Sequence, residues 1–404
     1  MGSSDFTRTE PSRGEAPIRV VIFAPLFPPA LFGGGPIRSL EALVSSLSAP
    51  FEVSVLAGDR EARSVERMPV ESNEWSKFKG SAVYYVSANN PLYLAVGLLR
   101  LRRTKPHVIY VNSFFDARLS IIPQILWRFF FWGRAERLVA PRGEFGTSAF
   151  ARRKLKKTAF VLAYRFLGLH TRVYWHASSE NEAKDIRRVW GERAKILVRE
   201  DETSLPALAT PPVETAKPRT ALRAAFLGRI VEHKGLLIIL EALRELKVPM
   251  TLSVYGPEED ASYAAKCRLA AEVLAFDITV VFLGPIPPGD VRTALHDHDV
   301  LLMPTAGENF GHVIAEALSV SCPVLCTPYT PWTETLAHGG GQIVEDRTVG
   351  SWRQALDRYA RYDESERLDR RRCAEVSYNN WKVATAGAHV FELLEEAREG
   401  RAAM

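Results

Sequence analysis

At 404 residues the chain is longer than one hydrophobic core usually spans, so two domains are expected. Hydrophobic residues at 47% and charged residues at 25% are ordinary globular values, which sets aside the disordered and fibrous classes. The formal charge of +5 suggests an anionic partner without identifying one.

Residues 1–16 are polar and lack the apolar core of a signal peptide, so a disordered lead-in to a cytoplasmic protein is expected. Ile18 to Phe23 reads as the first strand, and Pro25 to Pro36 as a Pro/Gly-rich loop. Arg38 to Leu47 follows as an amphipathic helix with Leu40, Leu43, Val44 and Leu47 on one face. Further strands are expected at Phe51 to Leu56, Val83 to Val86, Val108 to Val111, Arg137 to Ala140 and His170 to Trp175. The nearest approach to a bilayer-spanning run, which needs roughly 20 apolar residues, is Ile121 to Trp132. It is broken by Pro123, Gln124 and Arg128.

From Arg199 to Thr220 periodicity fails among four prolines, and this stretch reads as a linker. Strands resume at Ala224 to Gly228, Met250 to Tyr255, Ile278 to Leu283, Val300 to Met303 and Pro323 to Cys326, with a helix from Leu236 to Leu246. The tail from Ser351 is helical. The alternation predicts an α/β chain of two doubly wound, Rossmann-like domains. Their expected spans are residues 17–198 and 221–375, with 199–220 between them and 376–404 as a C-terminal helix returning across both. The four cysteines, Cys267, Cys322, Cys326 and Cys373, have no zinc spacing and read as reduced thiols.

Ligands of doubly wound sheets gather at the C-terminal ends of strands, and two segments there carry chemistry. In Pro304 to Leu318 a buried strand runs into a Gly-containing turn and then a helix, with Glu308 in the turn and Glu316 on the helix. The N–H groups of Phe310, Gly311 and His312 at that helix start suit a phosphate, and Asn309 is a companion in the turn. Carboxylates on either side suit sugar hydroxyls, so the pattern suits a nucleotide sugar. Glu316 sits among Val313, Ile314, Ala315, Ala317 and Leu318, where a carboxylate needs a partner or ligand. In Phe226 to Gly235 a strand ends at Gly228, and Arg229 and Lys234 follow. A guanidinium fork and an ammonium there could neutralise a diphosphate and stabilise it as a leaving group.

The paired glutamates, the Gly-Arg before Lys-Gly and the Gly-rich loop after the first strand together resemble the retaining glycosyltransferases of family 4, whose fold is GT-B, two Rossmann-like domains facing across a cleft. Phe27-Pro28-Pro29, Gly33 to Arg38, Asn112 to Phe115, Ala140 to Phe145, Trp175 to Ser178 and Thr327 to Trp332 resemble a bacterial surface-polysaccharide branch of that family. The resemblance implies that Glu308 contacts the donor sugar and Glu316 the ribose. It implies that Arg229 and Lys234 hold the diphosphate, that Gly34 and Gly35 let backbone approach the reacting centre, and that Ile286 lies against the base. Asn112, Arg142, Glu144 and His176 are the implied acceptor side. Many relatives carry a His after the strand that ends here at Ala140; this chain has Arg142 and Glu144 instead.

The implied reaction retains configuration by front-face substitution and uses no cofactor and no essential metal. Its substrates are a nucleotide-sugar donor and a saccharide or lipid-linked acceptor, in polysaccharide biosynthesis. Asp297-His298-Asp299 spells a metal-transferase pattern but precedes its strand, at the far end from the expected site. The basic run Arg152 to Lys157, followed by Phe160, Val161, Leu162, Tyr164 and Phe166, suits contact with an anionic membrane or a solvated helix face. No nucleic-acid motif accompanies it. A nucleotide-sugar epimerase of the same fold and a non-catalytic nucleotide-sugar-binding partner in an assembly remain as alternatives.

Overall fold

The computed structural model describes residues 16–30, 34–62, 64, 66–147, 150, 154–212, 221–246, 248–275 and 277–402. The lead-in up to residue 15, Gly33, Arg152, Arg153 and residues 213–220 of the expected linker lie outside them. The chain forms two units, one ending at Ser204 and taking back His389 onward, the other Leu205–Ala388.

The first unit is built on eight strands. They are β1 (Ile18–Ala24), β2 (Phe51–Gly58), β3 (Trp75–Phe78), β4 (Ser81–Val86), β5 (Val108–Asn112), β6 (Glu136–Ala140), β7 (Val173–Ala177) and β8 (Lys195–Val198), in the order β3-β4-β2-β1-β5-β6-β7-β8. All neighbours are parallel except β3 and β4. Those two are joined at Lys79 and Gly80, both with positive φ, as a tight hairpin requires. Alternate residues of β1 serve opposite layers: Val21 and Phe23 face one core, Val20, Ile22 and Ala24 the other. On the first side lie Leu94, Leu98 and Leu101 of the helix Pro91–Arg102, with Val161 and Tyr164 of Lys154–Phe166. Each such leucine contributes about 2 kcal/mol by leaving water. On the second side lie Leu40 and Leu43 of Gly35–Ser46 and Phe391 and Leu394 of Val390–Ala402.

The second unit has six parallel strands. They are β9 (Leu222–Leu227), β10 (Met250–Tyr255), β11 (Ile278–Gly284), β12 (Val300–Met303), β13 (Val324–Cys326) and β14 (Gly341–Ile343), in the order β11-β10-β9-β12-β13-β14. Leu236, Ile239 and Leu240 of the helix Leu236–Leu243 pack with Trp352 and Leu356 on one face. Ile314 and Leu318 of His312–Leu318 pack with Tyr378 and Trp381 on the other. The long helix Glu364–Ala384 starts with a reciprocal cap: Glu366 N–H donates to Asp363, and Asp363 N–H donates to Glu366.

The expected α/β class and two parallel Rossmann-like sheets are present. Local boundaries differ at two elements. The strand expected from His170 begins at Val173, because Thr171 N–H closes a turn onto Gly168 O and Arg172 takes φ of 54°. The helix expected from Arg38 begins at Gly35, because Gly34 at φ 67° turns the chain and Pro36 fits the first helical turn. Around the expected linker, Arg199 N–H bonds Ala177 O in the first unit, whereas Ala209 and Thr210 N–H bond Asn379 and Ser319 O in the second.

Strand order reverses between β1 and β5 in one sheet and between β9 and β12 in the other. Each reversal opens a crevice at the C-terminal strand ends, where two loops diverge.

Candidate active site

In the second unit the loops leaving β9 and β12 carry Gly228 to Gly235 and Pro304 to Gly311. Gly256 fixes the approach of the chain after β10, since a Cβ there would meet Gly228 O at 2.0 Å. Lys234 ends a single turn of 3-10 helix, Glu232–Lys234, and Gly235 reverses the chain at φ 80°. A Cβ at Gly235 would meet Pro304 O at 2.4 Å, so the β9 loop lies directly on the β12 loop. Ala306 N–H donates to His233 O at 2.8 Å. Arg347 then staples both loops: its Nε donates to Pro304 O at 2.9 Å and its terminal nitrogen to Glu232 O at 3.2 Å.

This arrangement joins Lys234 and Glu308 in a side-chain ion pair, with the ammonium 17% and the carboxylate 13% exposed. Glu308 N–H donates to Tyr329 O at 3.2 Å, which holds its turn against the loop after β13. Arg229 points to Glu259 at 2.9 Å and is more exposed. Gly311 opens the helix His312–Leu318 at φ 86°. Phe310 is buried against Trp332, whose indole N–H donates to Phe310 O at 2.5 Å, and stacks edge-on with His312. Glu316 is buried on that helix. Asn309 lies in the turn between Glu308 and Phe310, and Ile286, after β11, packs on the Ile314 side of the unit.

Asp299 stands at the opposite, N-terminal end of β12, where its carboxylate accepts Arg223 N–H at 2.8 Å. His298 bonds Ala294 O through Nδ1 at 2.7 Å. Among the described residues no cluster of three His, Cys, Asp or Glu could hold a metal ion.

In the first unit the structure gathers Asn112, Arg142 and His176 into one buried network. Arg142, held at φ 53°, donates through Nε to Asn112 Oδ1 at 2.6 Å and through a terminal nitrogen to the Tyr110 hydroxyl at 2.8 Å. Its other terminal nitrogen pairs with Asp201, both side chains being buried. Asp201 also accepts from Ser39 at 2.6 Å. Burial opposes the Arg142 charge, but Asp201 and then Tyr110 outweigh it and raise its pKa. The Tyr110 hydroxyl meets His176 Nδ1 at 2.8 Å, while Nε2 meets Arg199 O at 2.9 Å. A carbonyl only accepts, so Nε2 carries the proton and Nδ1 accepts from Tyr110. Burial, then the Arg142 charge, pushes His176 down to about 3, so the imidazole is neutral.

Glu144 stands apart from that network. Its carboxylate accepts Ser113 Oγ at 2.9 Å and the N–H groups of Phe114 at 2.7 Å and Phe115 at 3.1 Å, fixing the loop that leaves β5. Gly34 and Gly35 stand at the mouth of the helix Gly35–Ser46.

Sequence reasoning missed Asp201, Tyr110, Glu182 and Arg347. Glu182 had a signal that reads otherwise: Ser179 to Glu182 spells a capping box, and Ser179 does cap. The Glu182 carboxylate instead accepts Gly143 N–H at 2.6 Å and Ser178 N–H at 2.8 Å, anchoring the turn that presents Arg142.

Residues 212–378 match the family of glycosyl transferases group 1. A D-inositol 3-phosphate glycosyltransferase of Corynebacterium urealyticum is 31% identical over 147 residues, covering 34% of this chain and 35% of that protein. The chain thus matches about a third of the length of such curated relatives. The crystal structure of HepE from Anabaena with UDP and glucose superposes with TM-score 0.65 at 13% identity, covering 96% of this chain and all 100% of that one. WaaG, a glycosyltransferase involved in lipopolysaccharide biosynthesis, superposes with TM-score 0.57 at 14% identity, covering 92% and 100%. These likenesses show the fold, GT-B, as two parallel Rossmann-like sheets.

Proposed function

We propose that the protein, whose residues 212–378 match the glycosyl transferases of group 1, moves a sugar from a nucleotide-sugar donor to a saccharide acceptor with retention of configuration. The observation that carries this reading is the Lys234–Glu308 pair at the point where the strand order of the second sheet reverses. An ammonium and a carboxylate held side by side at strand ends match the two ends of the bond to be broken, diphosphate and sugar.

In this reading Lys234 and Arg229 take the donor diphosphate and stabilise the charge that grows on it as the glycosidic bond breaks. Glu308 orients sugar hydroxyls, and Glu316, on the buried helix, accepts those of the ribose. Gly228, Asn309, Gly311, His312 and Ile286 shape the donor side, and Phe310 anchors the turn. The acceptor hydroxyl attacks the face from which the nucleotide leaves and gives its proton to the departing phosphate oxygen. No separate base and no metal ion enter. Arg142, Asn112, Glu144 and His176 shape the acceptor side, His176 and Arg142 by holding loops rather than by titrating.

We place the protein in the cytoplasm, in the building of a bacterial surface polysaccharide; a glycosyltransferase involved in lipopolysaccharide biosynthesis shares its fold. UDP-sugars are the first donors to screen, since the HepE neighbour holds UDP. A thermal-shift screen against UDP-, GDP-, ADP- and dTDP-sugars, with and without magnesium, tests the reading, because a ligand of the folded state raises apparent stability. A selective shift that does not need magnesium supports it. No shift with any donor, or isomerisation of the donor sugar without an acceptor, overturns it.

A further inference from the structure

Residues 91–179 contain sixteen Lys and Arg against three Asp and Glu, a surplus far above the +5 of the whole chain. The same segment holds most of the exposed large apolar side chains of the first unit. Leu92, Val96 and Leu99 stand out from the helix Pro91–Arg102. Phe129 and Phe130, at 74% and 68% exposure, follow the helix Ile122–Arg128. Leu155, Leu162 and Phe166 stand out from Lys154–Phe166, Phe166 at 91% exposure.

These three helices lie in one layer, because their inner sides share a single core with Phe114, Trp132 and Trp175. They also touch one another beneath the surface. The Arg102 guanidinium lies 4.8 Å from the Phe131 ring. The Tyr164 hydroxyl bonds Gln124, and Arg137 both covers the Trp127 ring at 4.2 Å and donates to Thr171 O at 3.0 Å. Their outer sides therefore form one face. Arg102, Arg103, Arg128, Arg134, Lys156 and Arg165 are exposed on the same segments. The helices themselves carry no acidic residue. The opposite layer of the same sheet is unlike this: among the described residues, Gly35–Ser46 and Val390–Ala402 expose no large apolar side chain.

We propose that this face of the first unit lies on an anionic lipid bilayer, with the phenylalanines and leucines in the headgroup boundary and the Arg and Lys side chains on lipid phosphates. Bulky apolar side chains ringed by cations, without carboxylates, are what such an interface selects. A second copy of the chain is a poor occupant, since two faces of this charge repel. A nucleic acid neutralises the cations but gives the exposed leucines nothing to bury them. Among the described residues no helix is long and apolar enough to cross a membrane. The inference does not depend on the transferase reading, and its test reads partition, not turnover.

The test is co-sedimentation of the full chain with vesicles of phosphatidylcholine alone and of phosphatidylcholine mixed equally with phosphatidylglycerol. The expected result is a preference for the mixed vesicles of about tenfold or more, declining as salt is raised. Phe129→Ser with Phe130→Ser and Phe166→Ser should lower partition by about tenfold or more with the melting temperature kept. Arg128→Ser with Arg134→Ser should lower it by about fivefold per charge. Leu269→Ser with Val273→Ser, an exposed apolar pair in the second unit, should leave it unchanged. Equal binding to neutral vesicles, equal loss in the second-unit pair, or tighter binding to RNA than to mixed vesicles overturns the proposal.

Discussion

Lys234 and Glu308 form an ion pair although 74 residues separate them in the chain. Two parallel strands, β9 and β12, bring them together by ending side by side, and Gly235 and Arg347 press the following loops onto each other. The pair is mostly buried, so each partner is held by the other as well as offered to a ligand. Replacing Lys234 by Met should cost turnover about a hundredfold or more, by removing charge stabilisation at the leaving group. A double-mutant cycle of Lys234→Met and Glu308→Gln, read by denaturant unfolding, should show a coupling of about 1–3 kcal/mol. Turnover retained in Lys234→Met would remove the phosphate role.

Glu316 lies buried on the helix that follows Gly311, next to Ile314, Ala315, Ala317 and Leu318. If it accepts the ribose hydroxyls, a nucleoside diphosphate should bind the native protein at least about tenfold more tightly than its 2′,3′-dideoxy form, the worth of hydrogen bonds to a charged group. The Glu316→Gln protein should lose most of that discrimination. Calorimetric titration of both ligands against both proteins decides it. Discrimination that survives the substitution assigns the ribose to another residue.

Gly235 tests how tightly the two loops must lie. Its φ of 80° disfavours any side chain, and a Cβ would stand 2.4 Å from Pro304 O. Gly235→Ala should therefore lower both stability, by roughly 1–3 kcal/mol, and turnover. Gly350→Ala, at a helical position with nothing within 4 Å, should do neither. Equal effects of the two substitutions on melting temperature and rate would mean that the close approach is not what matters.

Much of this was legible because apolar runs mark buried parallel strands. Every residue of β5 and of β12 is buried, and both stand out in the sequence. That Lys234 and Glu308 lie in loops leaving strand ends was legible for the same reason. β3 and β14 were not legible. The first is a half-exposed edge strand with alternating Trp, Ser, Lys and Phe, and the second has three residues and opens with Gly341. Asp201 and Arg347 gave no signal at all. Each sits in a polar stretch, and its value lies in partners 59 and 43 residues away. Only the folded chain reveals such pairing, since neither local periodicity nor composition changes with it.

The Arg142–Asp201 pair shows what the buried network of the first unit contributes. Removing one member of a buried pair leaves an uncompensated charge, at a cost of about 3–5 kcal/mol. Asp201→Ala should lower the melting of the first unit by several degrees and release Ser39 and Arg142 from their shared partner. The double variant Arg142→Met with Asp201→Ala should recover part of the loss. A single variant that melts with the native protein would mean that the pair is not maintained in solution.

His176 makes a pH-dependent contribution whose sign follows from its neighbours. Burial, then Arg142, hold its folded value at about 3, against an ordinary value of 6.5. Between these two values the unfolded chain binds a proton that the folded chain refuses. Stability from this group is therefore complete above about 6.5 and declines as pH falls towards about 3. The slope is at most about 1.4 kcal/mol per pH unit. Glu144 and Glu182, both raised chiefly by burial, act in the opposite sense, because the folded chain holds their protons more firmly as pH rises. Comparing the native protein with His176→Gln isolates the histidine, since the carboxylates are common to both. Gln keeps a donor for Arg199 O and an acceptor for the Tyr110 hydroxyl without a titrating ring. The difference in unfolding free energy between the two should change with pH below about 6.5 and be flat above it. A difference that is flat throughout would show that His176 gains its proton in the folded chain, and with it that Tyr110 and Arg142 do not enclose it as described.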